Sequence, residues 1–208
     1  MSKLDKQILA VKTNILFPNI QPIGFIDIEK MNLLPVILEN YEFKRRGDIE
    51  QDPSYQQPIS YFLLIDKKDK TLFVYKRASD VSRYTDTRLF GVFSFGVGGH
   101  MDKEDTEQDL DPITLSCQRE IEEETGLKDV EMKIIGFIND DTNEVETVHL
   151  GIAGIAFVDK EKVIEAQEYV FSKFMNKKEI EEEIIKNEDV ILEPWSKILW
   201  EIAQKHIN

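Results

Sequence analysis

Residues 119–127 read Arg119-Glu120-Ile121-Glu122-Glu123-Glu124-Thr125-Gly126-Leu127, and this stretch decides how the rest of the chain is interpreted. A helix is expected to begin near Asp111-Pro112, because aspartate is a good N-cap and proline suits the first turn. It is expected to run to Thr125. Gly126 should end it, since glycine readily adopts the left-handed conformation that closes many helices.

The helix brings three carboxylates together. Residues three and four apart share a face, so Glu120, Glu123 and Glu124 project to one side while Glu122 points nearly opposite. A solvated acidic face is the simpler interpretation, but Mg²⁺ also prefers several carboxylate oxygens and shares its coordination shell with substrate phosphates. Arg119 either orients one of these carboxylates or forms a surface ion pair of small energetic value.

The stretch resembles the Nudix box, whose pattern is Gly, five residues, Glu, seven residues, then Arg-Glu-aliphatic-any-Glu-Glu-any-Gly-aliphatic. Residues 119–127 match the second half at every specified position. The first half departs from the pattern. Counting from Gly99 to Asp111, which stands where the family has glutamate, shows about six extra residues.

The extra residues form an acidic segment, 102–109, which we expect to be an exposed loop because lengthening a loop costs little entropy. Asp111 either replaces the first glutamate of the box or serves only as the helix cap. The acid that takes the role of that glutamate is left open.

The resemblance implies an α/β fold, a Nudix-type α/β/α sandwich around a mixed β-sheet. We expect a Nudix hydrolase domain over residues 60–208, preceded by an N-terminal extension or subdomain, residues 1–59, packed on the core. Local patterns agree for the first strands. Strand-like runs occur at 61–65, 71–75, 90–97, 132–138 and 145–158, and helix-like runs occur at 177–186 and 195–206. The polar segment 44–58 is interpreted as a connecting loop.

The resemblance also implies chemistry: metal-dependent hydrolysis of a diphosphate linkage, as in a pyrophosphatase. Mg²⁺ or Mn²⁺ would be held by the three glutamates with help from the backbone carbonyl of Gly99 or a neighbour. The expected catalytic residues are Arg119, Glu120, Glu123, Glu144 and Glu146. The general base is open between Glu120 in the box and Glu144 or Glu146 on a downstream loop.

Other side chains are less determined by the sequence. Arg77, Arg83 and Arg88 could supply positive charge around a substrate phosphate, or could be solvated surface cations. His100 and His149 have no metal-ligand spacing with each other and are interpreted as ordinary surface or partly buried histidines. Cys117, the single cysteine, is expected to pack inside the protein rather than react.

Charge and composition limit the partners. The chain has 26 Lys plus Arg against 40 Asp plus Glu, a net charge of −14, which disfavours nucleic acid and anionic membrane surfaces. A small phosphorylated, nucleotide-derived substrate fits if cations neutralise it, and a homodimer is compatible with the sequence. With no secretory signal, no apolar span of about 20 residues and one cysteine, a cytoplasmic location is expected.

Two other functions compete with the enzyme. A Nudix-fold ligand-binding or regulatory module would keep the fold without activity, although retention of all three glutamates favours the hydrolase. An acidic scaffolding protein would explain the charge, but it would not explain a helix with matched arginine and glycine.

Overall fold

The computed structural model defines ten strands and six α-helices among the residues it describes, which are 2–79, 90–106, 111–142, 146–164, 166 and 169–208. The strands are β1 (Gln7–Lys12), β2 (Gly24–Asp27), β3 (Glu42–Arg45), β4 (Tyr55–Asp66), β5 (Leu72–Arg77), β6 (Phe93–Ser94), β7 (Gly96–Val97), β8 (Glu131–Asn139), β9 (His149–Val158) and β10 (Tyr169–Met175). The helices are α1 (Thr13–Leu16), α2 (Leu34–Asn40), α3 (Arg46–Ile49), α4 (Pro112–Thr125), α5 (Lys177–Ile180) and α6 (Pro194–Ala203).

The main sheet has the order β10-β5-β4-β9-β8-β2. In this sheet the pairs β10–β5, β5–β4 and β8–β2 are antiparallel, and one parallel bridge joins Phe93 to Leu192, so the sheet is mixed. The α/β class predicted from the sequence is confirmed. None of the helices in the described ranges is long and apolar enough to cross a membrane.

The chain divides into two compact units. Unit 1 comprises Met1–Tyr61, Gly98–Glu120 and Ile134–Gly154, and unit 2 comprises Phe62–Val97, Ile121–Lys133 and Ile155–Asn208. The first 61 residues therefore share a unit with two later segments. The predicted division at residues 59 and 60 stays a prediction.

Unit 1 is organised around β1, whose residues 8–11 are completely buried. This strand pairs with β3 through Ile8 and Lys44, and with β4 through Val11 and Gln56. The prediction of a loop at 44–58 was wrong, because these residues include the end of β3, all of α3 and the start of β4. The strands β3 and β4 carry many of these polar side chains and pair with β1, which is distant in sequence. Local composition does not reveal such pairing.

Unit 2 contains the predicted hairpin, which is confirmed. Strands β4 and β5 pair at Ile65 and Leu72, and the Asp66 carboxylate accepts hydrogen bonds from the backbone of Lys68 and Asp69 in the turn. Aromatic residues of β5 and β10 form part of its core. In α6, Pro194 stands in the first turn, and one face of the helix is buried.

Helix α4 has the ends that the sequence predicts. Asp111 Oδ1 accepts a hydrogen bond from Thr114 N at 2.9 Å, as an N-cap should. Gly126 follows the helix with φ +70°. Along the helix Ile113, Cys117 and Ile121 are buried, so the predicted packing role of the cysteine is consistent with its position.

The acidic insertion is only partly an exposed loop. Asp102 is 7% exposed and forms an ion pair with Lys6 and a β-bridge with Ile8. The prediction of an exposed loop was therefore wrong at Asp102. The residue can be buried because a lysine of the N-terminal segment neutralises its charge. A 3₁₀ turn, Lys103–Thr106, comes next, and residues 107–110 lie outside the described residues.

Candidate active site

The glutamates of α4 differ in their surroundings as the helical spacing predicts. Glu122 is exposed and pairs with Lys128 at 2.9 Å, which places it away from the other acids. Glu120 and Glu124 are half-buried, and Glu123 is exposed. The half-buried acids are thus one turn apart on the helix, and each is oriented by other side chains of its own unit.

In unit 1, Arg119 orients Glu120. Its Nη1 lies 2.7 Å from Glu120 Oε1, and its Nη2 donates to the carbonyl oxygen of His100 at 2.9 Å. The guanidinium therefore joins the box helix to the segment that precedes it. Of the two roles that the sequence allows for Arg119, this geometry matches the orienting one. The catalytic role of Arg119 stays a prediction.

The turn at Gly98 and Gly99 needs glycine for two different reasons. Gly98 has φ +151°, and a Cβ there would lie 1.9 Å from the carbonyl oxygen of Ser60. At Gly99 the conflict is with the site itself, since a Cβ would lie 2.6 Å from Glu120 Oε2. The bare backbone of Gly99 therefore leaves the room that the Glu120 carboxylate occupies.

The carbonyl of Gly99 is already used within the sheet. It accepts hydrogen bonds from Ser60 N at 3.0 Å and from Ser60 Oγ at 3.3 Å. A carbonyl has two lone pairs, so these bonds compete with a metal ion for this oxygen. Whether Gly99 or a neighbour supplies a carbonyl ligand stays a prediction.

In unit 2, Tyr169 orients Glu124. The phenol donates a hydrogen bond to Glu124 Oε2, and its ring stacks on Tyr75 with centroids 4.1 Å apart. Burial raises the pKa of Tyr169 well above its usual value, and the nearby charge of Glu124 raises the pKa further. The phenol therefore keeps its proton and remains a donor to the carboxylate.

Arg77 is buried and paired with an acid of its own unit. It is 9% exposed, its Nη1 lies 3.3 Å from Glu193 Oε1, and its Nη2 donates to the hydroxyl of Tyr75 at 2.9 Å. The second carboxylate oxygen of Glu193 accepts from Ser94 Oγ at 2.5 Å. The charge of Arg77 thus neutralises a buried glutamate directly before α6, and its role as a substrate contact stays a prediction. Arg83 and Arg88 lie outside the described residues.

The candidate bases on the downstream loop are only partly covered by the structure. Glu144 lies outside the described residues. Glu146 begins a 3₁₀ turn, Glu146–Val148, directly before β9, and is half-buried. Selection of the base among these acids and Glu120 stays a prediction.

Sequence reasoning missed a pairing between the two central histidines. The rings of His100 and His149 are in edge-to-face contact with centroids 5.3 Å apart. Burial lowers the pKa of His100 well below its usual value, helped by the positive charge of Arg46. His100 is partly buried, as expected, but the contact with His149 was not predicted, and the 48 intervening residues contain no local signal of it.

Comparison with known proteins places this geometry in a family. No protein-family model matches the chain. Protein YmaB of Bacillus subtilis (strain 168) is 30% identical over 214 aligned positions, which span 98% of this chain and 100% of that protein. The crystal structure of Tm1382, a candidate Nudix hydrolase, is 25% identical with a TM-score of 0.74, and covers 96% of this chain and 99% of Tm1382.

The chain belongs to the Nudix hydrolase superfamily. Its similarity to Tm1382 extends over the N-terminal residues, so those residues are shared with another Nudix chain. The Nudix domain of Shewanella oneidensis NrtR, crystallised with ADP-ribose, has the same fold, with a TM-score of 0.52 at 12% identity over 72% of this chain and 87% of that one. This chain is a Nudix hydrolase, an enzyme class that acts on acid anhydrides in phosphorus-containing compounds. Nudix hydrolases generally use divalent metal ions.

Proposed function

We propose that this Nudix hydrolase uses Mg²⁺ or Mn²⁺ to cleave a diphosphate linkage in a nucleoside diphosphate joined to another small group. One observation carries the proposal. Helix α4 holds its half-buried carboxylates in fixed orientations, Glu120 by Arg119 and Glu124 by Tyr169. Preorganised carboxylates are what a metal-dependent phosphoryl site requires.

The residues present fit a hard divalent ion. Glu120, Glu123 and Glu124 offer only oxygen donors, and such ions prefer several carboxylate oxygens. The Glu120 carboxylate lies against Gly99, where any side chain would displace it. An ion bound there supplies charge neutralisation for the diphosphate oxygens and a lower pKa for the attacking water.

The protein side chains then have distinct tasks. Arg119 prevents the Glu120 carboxylate from rotating, and its second hydrogen bond fixes the backbone at His100. Tyr169 does the same for Glu124 from β10. A carboxylate removes the proton from water as it attacks phosphorus. Glu120, Glu144 and Glu146 are the proposed candidates for this base.

The substrate class follows from charge and from the comparison with NrtR. With a net charge of −14 the protein repels polyanions, so a small substrate of limited charge is favoured over nucleic acid. ADP-ribose, which the NrtR Nudix domain binds, is a nucleoside diphosphate joined to a sugar. It is therefore the first substrate to test, and Arg83 and Arg88 are the proposed cations that contact its phosphates.

The test is a turnover panel of ADP-ribose, nucleotide sugars, dinucleoside polyphosphates, NADH, coenzyme A and nucleoside triphosphates, with and without Mg²⁺ or Mn²⁺. Glu123→Gln should lower kcat/KM more than about 100-fold, since losing a direct ligand should exceed the 10–100-fold effect of an outer-shell change. Glu122→Gln is the matched control, because this residue lies on the opposite face with Lys128.

Metal-independent turnover, or equal activity of the two glutamine variants, would contradict the mechanism. Absence of turnover across the panel together with tight ligand binding would identify a regulatory module instead. Light scattering on the same samples will determine whether the protein is a homodimer.

A further inference from the structure

Three side chains from distant parts of the sequence converge in unit 1. Glu50 follows α3, His100 follows the glycine turn, and His149 begins β9. One ligand atom of each, a carboxylate oxygen or a ring nitrogen, lies within 4.8 Å of the others. We call these three residues the Glu–His–His cluster. It contains none of the α4 carboxylates.

Hydrogen bonding selects the tautomer of His100. Gln57 donates its amide hydrogen to the carbonyl oxygen of Ile49 at 3.1 Å, which leaves Gln57 Oε1 facing the histidine as an acceptor. His100 Nε2 lies 3.0 Å from this oxygen and so carries the ring hydrogen. Nδ1 consequently holds the lone pair that a metal ligand needs. This arrangement, with one nitrogen tied to an amide oxygen, is typical of metal-binding histidines.

The other two side chains are also held in place. Arg46 donates to both carboxylate oxygens of Glu50, at 2.9 Å and 3.2 Å, which limits the rotation of that carboxylate. His149 is 4% exposed, and its ring meets the ring of His100 at 78°. The cluster therefore combines two imidazoles and one oriented carboxylate at a site mostly shielded from solvent.

We infer that the Glu–His–His cluster is a second metal site that binds a divalent transition-metal ion, with Zn²⁺ as the best fit. Two imidazoles and one carboxylate form a ligand set known for zinc, whereas Mg²⁺ prefers an all-oxygen set. Ligand atoms on tetrahedral zinc lie about 3.4 Å apart, given bond lengths of about 2.1 Å. Binding thus requires the cluster to close by at most about 1.4 Å.

Occupancy would act on the box helix through the backbone. The carbonyl of His100 accepts the second hydrogen bond of Arg119, the residue that orients Glu120. An ion that fixes the ring of His100 would therefore also restrain this carbonyl. The inference is independent of the proposed function, because it concerns binding of an ion and is tested without turnover.

The experiment uses full-length protein without a histidine tag, stripped with chelator and dialysed into buffer with excess Mg²⁺ to occupy the α4 carboxylates. Calorimetry should show that one Zn²⁺ ion binds tightly to each protein chain. Co²⁺ should produce the visible absorption of a four- or five-coordinate ion. His149→Gln and Glu50→Gln should each weaken Zn²⁺ binding more than about 100-fold. The matched controls are His206→Gln and Glu39→Gln, which alter exposed residues of the same types.

X-ray absorption of the wild-type protein with one equivalent of Zn²⁺ does not depend on whether the variants fold. It should show nitrogen and oxygen ligands near about 2.0 Å with the outer-shell scattering of two imidazoles. Sulfur at about 2.3 Å would assign the ion to Cys117 and overturn the inference. The inference would also be overturned if no Zn²⁺ ion bound tightly in the presence of excess Mg²⁺. Equal affinity of the folded His149→Gln and His206→Gln proteins for Zn²⁺ would overturn it as well.

Discussion

Replacing Gly99 by alanine adds one methyl group against the Glu120 carboxylate. The new Cβ would lie 2.6 Å from Oε2, 2.7 Å from Oε1 and 2.7 Å from the carboxyl carbon, whereas ordinary contact begins at 3.4 Å. The carboxylate must therefore retreat by about 0.8 Å, the difference between 3.4 and 2.6 Å. A displacement of about 1 Å in a catalytic site can cost about 100-fold in rate, equivalent to about 2.7 kcal/mol of transition-state stabilisation.

We expect Gly99→Ala to lower kcat/KM by about 10- to 100-fold with little change in melting temperature, because the φ of Gly99 lies outside the left-handed region. The assay follows phosphate release by a coupled alkaline phosphatase on the best substrate of the panel. Gly47→Ala in α3 is the control, since its Cβ would meet the end of the Arg45 side chain at 2.9 Å and the carbonyl oxygen of Leu4 at 3.1 Å, and not Glu120. A folded Gly99→Ala protein with wild-type kcat/KM would refute the view that Gly99 makes room for Glu120.

Three further substitutions test other parts of the structure. Tyr169→Phe removes the donor to Glu124 and should raise the Mg²⁺ concentration for half-maximal activity about 10-fold or more, measured by metal titration; an unchanged value would argue against a positioning role. Arg77→Met leaves the charge of Glu193 buried without its partner, so urea denaturation should show a loss of about 3–5 kcal/mol, and a loss below 1 kcal/mol would contradict a strong buried pair. The pKa of Glu179 is lowered by its hydrogen bonds to a lysine side chain and to the N-cap backbone, so its stabilisation is present above about pH 4.5 and lost as pH falls through the folded pKa. Glu179→Gln should therefore flatten the fall of melting temperature from about pH 5 to about pH 3, and an unchanged slope would exclude this contribution.

Features with short-range causes could be predicted from the sequence. The start of α4 follows from Asp111 and a proline beside it, and its end follows from Gly126. The β4–β5 hairpin follows from two apolar runs around a polar turn. The divergence of Glu122 from the other glutamates follows from helical periodicity alone. Each of these depends on residues that are close in sequence.

Features made by distant contacts could not be predicted in this way. Arg77 is neutralised by Glu193, 116 residues further along the chain, so its sequence neighbours indicate a surface cation. Asp102 has its partner, Lys6, at 96 residues' separation. The contact between His100 and His149 depends on how strands from different parts of unit 1 come together. In each case the partner of a polar side chain is determined by the fold, which brings together residues that are distant in sequence.

The two hydrogen bonds of Arg119 restrict which residue can occupy this position. A guanidinium presents several N–H groups from one rigid plane, so it can reach a carboxylate and a main-chain oxygen at the same time. An ammonium group keeps the positive charge but concentrates it on a single nitrogen atom, which is poorly suited to spanning both acceptors. Natural variation at position 119 should therefore exclude lysine as strictly as it excludes neutral residues. The shape of the cation matters at this position as well as its charge.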